Sequence, residues 1–166
     1  TSVTAEGKIL ADESIIGTIL NGYETREPYG KKVHRASVVV LTSLIDEKVS
    51  AGIVGILRKL FHTKNILSIA GSSLRYQAMR TVFPHERNAL ILDAIGQLIS
   101  VALVRKDLLV AVIEMSDAVS TDVDSWVQKV IGEFIELAKE HPLPRTIFLL
   151  AQEQNSSSLE QALNAA

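Results

Sequence analysis

The sequence predicts a single α/β domain of three layers, with helices on both faces of a mainly parallel sheet. Three observations carry that expectation, and all lie beyond residue 35. "SVVVLTSL", residues 37–44, is a compact β-branched run followed by apolar residues at helical spacing. "DLLVAVIEM", residues 107–115, is nearly unbroken in apolar side chains, as a strand covered on both faces should be. It too precedes a helical pattern, and "TIFLLAQE", residues 146–153, repeats the strand signal before a short last helix.

Taken in order, residues 1–35 read as a polar N-terminal arm and residues 36–166 as the α/β domain. Within the arm, "ADESIIGTILNG" predicts a short helix. Asp12 or Ser14 would cap it, Ile15, Ile16, Ile19 and Leu20 would form its apolar face, and Asn21-Gly22 would stop it. Pro28 and Gly30 then break any regular element in "YETREPYGKKVHR", and residues 21–35 read as a loop or a loose hairpin. After the strand at 37–44, Val49, Ile53, Ile56, Leu57, Leu60 and Phe61 predict a helix over 46–63. "NILSIA" reads as a further short strand. Residues 89–104, "ALILDAIGQLISVALV", read as an apolar helix with Asp93, Gln97 and Ser100 as its one polar stripe. If that stripe is buried, Asp93 pairs with Arg75 or Arg80 or faces a cavity, because an uncompensated carboxylate away from water is costly. The favoured reading is that the stripe is the wet edge of a helix buried elsewhere. The clearest element runs from Val123 through Trp126, Val127, Val130, Ile131, Phe134 and Ile135 to Ala138. Thr121 is placed to cap it, and Pro142 and Pro144 close it.

"SLRYQAMRTVF", residues 73–83, fits either a helix or an extended strand. If extended, the fold becomes an α+β sandwich with an antiparallel sheet, of the roadblock/profilin-like kind. That architecture serves mostly as a protein–protein platform.

Composition narrows the function classes. The chain has 166 residues, 47% hydrophobic and 22% charged, with aromatics at only 5%, so its core must be aliphatic. A net charge of −2 gives no electrostatic basis for binding nucleic acid or an anionic membrane surface. The absence of cysteine removes disulfides, thiolate nucleophiles and Cys-ligated metals together. The first residues lack the basic-then-apolar order of a secretory signal, and residues 89–104 are too short and too polar for a membrane span. A cytoplasmic protein is expected.

Two places carry residue types suited to ligand chemistry. In "AGSS", Gly71, Ser72 and Ser73 could direct backbone N–H groups at an anion, with Arg75 adding charge. The stretch lacks the second glycine and the lysine of a P-loop, and helix capping by Ser72 or Ser73 explains it without a ligand. In "EMSDAVSTDVD", Glu114 and Asp117 follow a strand and could hold a divalent cation through oxygen ligands. The four histidines, 34, 62, 85 and 141, show no metal-ligand spacing. His62 and His141 fall at expected helix C-termini, and His85 lies in a turn.

No catalytic motif is complete and no cofactor is specified. The sequence therefore predicts a non-enzymatic interaction or assembly subunit, partnered by other copies of itself or by another protein. The wide apolar surface of the helix expected at 89–104 is the ground for a subunit interface. The alternative is a small α/β enzyme or ligand-binding domain taking a phosphate-bearing ligand at strand-end loops.

Overall fold

The computed structural model describes residues 6–25, 27–96, 98–115 and 123–165. The chain divides after Leu74 into two compact units.

The first unit holds an antiparallel sheet of order β2-β1-β3 and one helix. Its strands are β1 (Lys8–Leu20), β2 (Tyr23–Thr25) and β3 (Ala36–Asp46), and α1 (Glu47–Phe61) follows β3 directly. The helix expected within residues 12–20 is instead the second half of β1. The reason lies in two β-bulges, between Leu10 and Asp12 and between Ile15 and Gly17, each inserting one extra residue into β1. The second bulge falls at Ile16, the buried hydrophobic residue of this strand, and it breaks the two-residue alternation. Ile15, Ile16, Ile19 and Leu20 thereby imitate helical spacing. Asn21-Gly22 does not stop a helix. Both residues have positive φ, 52° and 88°, and they turn β1 into β2, the hairpin conformation that Asn-Gly favours. The Asn21 side chain then accepts the N–H groups of His34 and Arg35, each at 3.0 Å, which fixes the entry into β3.

At the β3–α1 junction, Asp46 is the N-cap and accepts the N–H groups of Lys48 and Val49. His62 ends the helix in the left-handed conformation, its N–H donating to the Arg58 carbonyl. "NILSIA" forms no strand: its segment between α1 and the next helix has no regular structure.

α2 (Gly71–Val82) runs across the point of division. Residues 73–83 are thus helical rather than extended up to Val82. The second unit contains β4 (Ala89–Ala94), β5 (Ile99–Arg105), β6 (Leu108–Met115), α3 (Val123–Glu140), β7 (Ile147–Ala151) and α4 (Glu153–Ala165). Its sheet has the order β6-β5-β4-β7, and only the β4–β7 pair is parallel. A mainly parallel sheet is therefore wrong for this chain, and the antiparallel alternative fits in part. The cause is connection length. The apolar stretch 89–104 is a hairpin of β4 and β5 and not a helix, and a two-residue turn joins β5 to β6. Lys106 and Asp107 in that turn have φ of 48° and 66°, as a tight hairpin requires. Only the long connection through α3 permits a parallel return.

Every residue of β4 is buried, so its apolar run carries no alternation to read. Leu90, Leu92, Val101 and Leu103 form one core with Trp126, Val130 and Leu159 of α3 and α4. The alternate β4 residues, Ile91 and Asp93, point to the other face. There Phe83 stacks on Phe148 with ring centroids 4.6 Å apart. The Thr121 cap proposed for α3 lies outside the described residues.

Candidate functional site

The structure places the "AGSS" stretch at the first turn of α2. The Ala70 carbonyl accepts from Leu74 N–H at 3.0 Å, so the helix begins on Ala70. The Ala70 N–H donates to Oδ2 of Asp12 at 2.9 Å, and the Ser14 hydroxyl donates to the same carboxylate. The bulge between Leu10 and Asp12 shifts β1 by one residue just ahead of Asp12. The start of α2 thus already has an anionic group of the chain itself beside it, where a helix N-terminus favours negative charge. Ser73 is buried and Ser72 half-buried, whereas Gly71 is exposed.

Arg75 is one turn further along. Its guanidinium forms an ion pair with Asp93, whose side chain is 5% exposed against 32% for Arg75. The carboxylate of Asp93 also accepts the Ile95 N–H at 3.0 Å. The carboxylate's demand for a cation is met by Arg75, one of the two candidates named from sequence. Arg80 has other work. Its Nη1 donates to the Tyr76 hydroxyl at 3.1 Å, its guanidinium lies 5.4 Å from the Tyr76 ring, and that hydroxyl donates to the Asp107 carbonyl. Arg87 holds the same turn, pairing with the Asp107 carboxylate at 2.7 Å.

Glu114 is exposed near the end of β6, and Asp117 lies outside the described residues. In the sheet register Asp93 faces Ser100 and Ser100 faces Glu114, which puts the three in one row across β4, β5 and β6. Neighbouring strands are about 4.8 Å apart, so Glu114 stands roughly 10 Å from Asp93 along that row. Among the described residues no cluster of three or more His, Asp or Glu side chains could hold a metal ion. Asp93, Gln97 and Ser100 are not a helical stripe: Asp93 is on β4, Ser100 on β5, and Gln97 is outside the described residues.

Sequence reasoning missed the residues at the end of β7. Gln152, Glu153 and Gln154 line an open cavity of about 410 Å³ at the start of α4. The Gln152 amide donates to the Ile95 carbonyl at 3.2 Å, which brings that cavity beside the turn after β4. The signal was the strand-to-helix junction itself, since β4 and β7 are parallel and their C-terminal ends share one edge.

Exposed apolar side chains are the other feature, and they concentrate in the first unit. No residue of α1 is buried. Val49, Ile53, Ile56 and Leu60, at helical spacing, form an open stripe, with Ile56 60% and Leu60 65% exposed. On the sheet, Leu10, Ile15, Val38 and Val40 are exposed as well. The β4–β5 segment, from which an interface was expected, is instead buried in the core of the second unit. Among the described residues, no helix is long and apolar enough to cross a membrane.

No protein-family model matches the sequence, and no curated protein matches it. The fold does match solved structures. One is the PilM-PilN type IV pilus biogenesis complex, at a TM-score of 0.55 and 16% identity, covering 98% of this chain and 56% of that one. Another is a protein of unknown function with an actin-like ATPase fold from Bacteroides thetaiotaomicron. There the TM-score is 0.53 and the identity 10%, with 99% of this chain and 53% of that one covered. The chain spans little more than half the length of either. At these identities the likeness is one of fold.

Proposed function

We propose that this chain is an interaction or assembly subunit whose first unit supplies the partner-binding surface. The observation that carries the reading is α1, an amphipathic helix with its apolar stripe open to solvent. Contiguous exposed apolar surface on a folded protein marks an interaction site, and covering what remains exposed of each isoleucine or leucine there would contribute about 1 kcal/mol. The fold likeness to a chain of a pilus biogenesis complex supports an assembly role. The test is native mass spectrometry of the chain recovered under gentle conditions from the cells that make it. A stoichiometric protein complex that is lost in an Ile53→Lys, Ile56→Lys variant is the expected result. Recovery as a lone chain would overturn the reading.

A second reading has a separate observation behind it. The cavity at Gln152–Gln154 lies beside the turn after β4, the sheet edge where ligands collect in α/β folds. The second structural neighbour has an actin-like ATPase fold, which supports a nucleotide as the ligand. Thermal melting followed by Trp126 fluorescence, with and without millimolar Mg-ATP, tests it. A bound nucleotide must raise the midpoint by mass action; an unchanged midpoint removes this reading.

A further inference from the structure

The two outer edges of the sheet in the first unit are built differently. β1 pairs with β2 from Thr18 to Leu20. Ahead of that pairing it carries Lys8, Asp12 and Glu13 and both β-bulges. Charges and bulges on an edge strand are the devices that prevent a further strand from adding. β3 forms the opposite edge over its 11 residues. Among the described residues, nothing pairs with its outer side. Residues 36–45, "ASVVVLTSLI", contain no charge, no proline and no glycine, and both register shifts fall within β1, whose own residues are the ones inserted. One edge is defended and the other is a template.

The ends of β3 identify what fits the template. Arg35 precedes the strand, Asp46 ends it and Glu47 follows, and all three are exposed. A parallel partner of the same sequence would set like charges side by side. An antiparallel one centred on Leu41 sets Ala36 of each copy against Asp46 of the other, and so brings Arg35 of each copy to the first turn of the other's α1, where Glu47 stands. It also sets Val38 against Leu44 and Val40 against Thr42, apolar or neutral at every position. Such pairing is isologous and closes at two copies.

We infer that the outer edge of β3 is a homodimer interface, in which two copies pair antiparallel about Leu41 into one continuous six-stranded sheet. This rests on the assembly reading above and names the partner for one of its surfaces. The backbone hydrogen bonds supply affinity, and the Arg35–Glu47 contacts, occurring twice by symmetry, set direction and register.

The full chain tests this directly. Sedimentation equilibrium should show a concentration-dependent dimer. Arg35→Glu should weaken it about tenfold, since it replaces two attractive contacts with two repulsive ones. Adding Glu47→Lys should restore it. Because the chain has no native cysteine, single cysteines report register. Leu41→Cys should form an intermolecular disulfide, since facing Cα atoms in antiparallel strands lie within bonding range. Val39→Cys should not, because its counterpart is roughly 13 Å away along the strand. A strict monomer, a dimer indifferent to Arg35→Glu, or equal cross-linking at both cysteines overturns the inference. If the native complex of the preceding section persists in that case, the assembly reading stands with a different occupant on β3.

Discussion

A carboxylate as deeply buried as Asp93 loses several kcal/mol of hydration, which only an opposing charge and hydrogen bonds can replace. Arg75 supplies the charge and the Ile95 N–H a hydrogen bond. The two partners are unequal, because Arg75 keeps part of its guanidinium in water and can be rehydrated if released. Arg75→Met should therefore be the more harmful change, costing about 3 kcal/mol by stranding a buried anion. Adding Asp93→Asn should recover part of that loss, because the amide removes the charge and retains an acceptor for Ile95. Urea unfolding followed at Trp126, the only tryptophan, reads both variants. Equal stability of the single and double variants would show that the ion pair is not what holds Asp93. The Asp12 carboxylate is half-exposed and its loss is milder. Asp12→Ala should remove the acceptor of the Ala70 N–H, cost about 1 kcal/mol, and speed hydrogen exchange at Ala70.

Individual elements were legible where one physical signal dominated. α1 and α3 fall where the apolar spacing places them, and Asp46 supplies a side-chain cap for α1 of the kind helix starts favour. Asp46→Ala should cost about 1 kcal/mol and speed exchange of the Lys48 and Val49 amides, while Asp46→Asn should leave both nearly unchanged. In β1, two bulges convert a period of two into something near 3.6, which imitates a helix. In β4 and β5, burial on both faces erases periodicity, leaving length as the only guide. Signals against the helix were present in both cases. Asn21-Gly22 is a stronger hairpin mark than a helix stop, and Gly96 interrupts the run at 89–104. The candidate site was legible only in fragments. An Arg75 partner for Asp93 was one of several readings open to the sequence, and the burial that selects it comes from β4, whereas the cavity at Gln152–Gln154 depends on β7 returning beside β4, a pairing that no local pattern encodes.

The two units differ in how much core they own, and that difference reaches the behaviour of the whole chain. In the second unit, Leu90, Leu92, Leu103, Trp126, Val130 and Leu159 are almost fully buried in one cluster. In the first, Ile16 is the only hydrophobic residue among those described that is buried, and α1 buries none. Hydrophobic burial is the main term opposing chain entropy, so the first unit taken by itself is the weaker. Unfolding should then occur in two steps, the first lost from circular dichroism without change at Trp126, the second reported by Trp126. If two copies pair along β3, mass action stabilises the first unit alone. Its midpoint should rise with protein concentration, while the Trp126 midpoint should stay fixed. The Arg35→Glu variant should remove the concentration dependence and leave the second step where it was. A single transition seen equally by both probes would mean that the units unfold as one, and the core-poor unit would then owe its stability to the other.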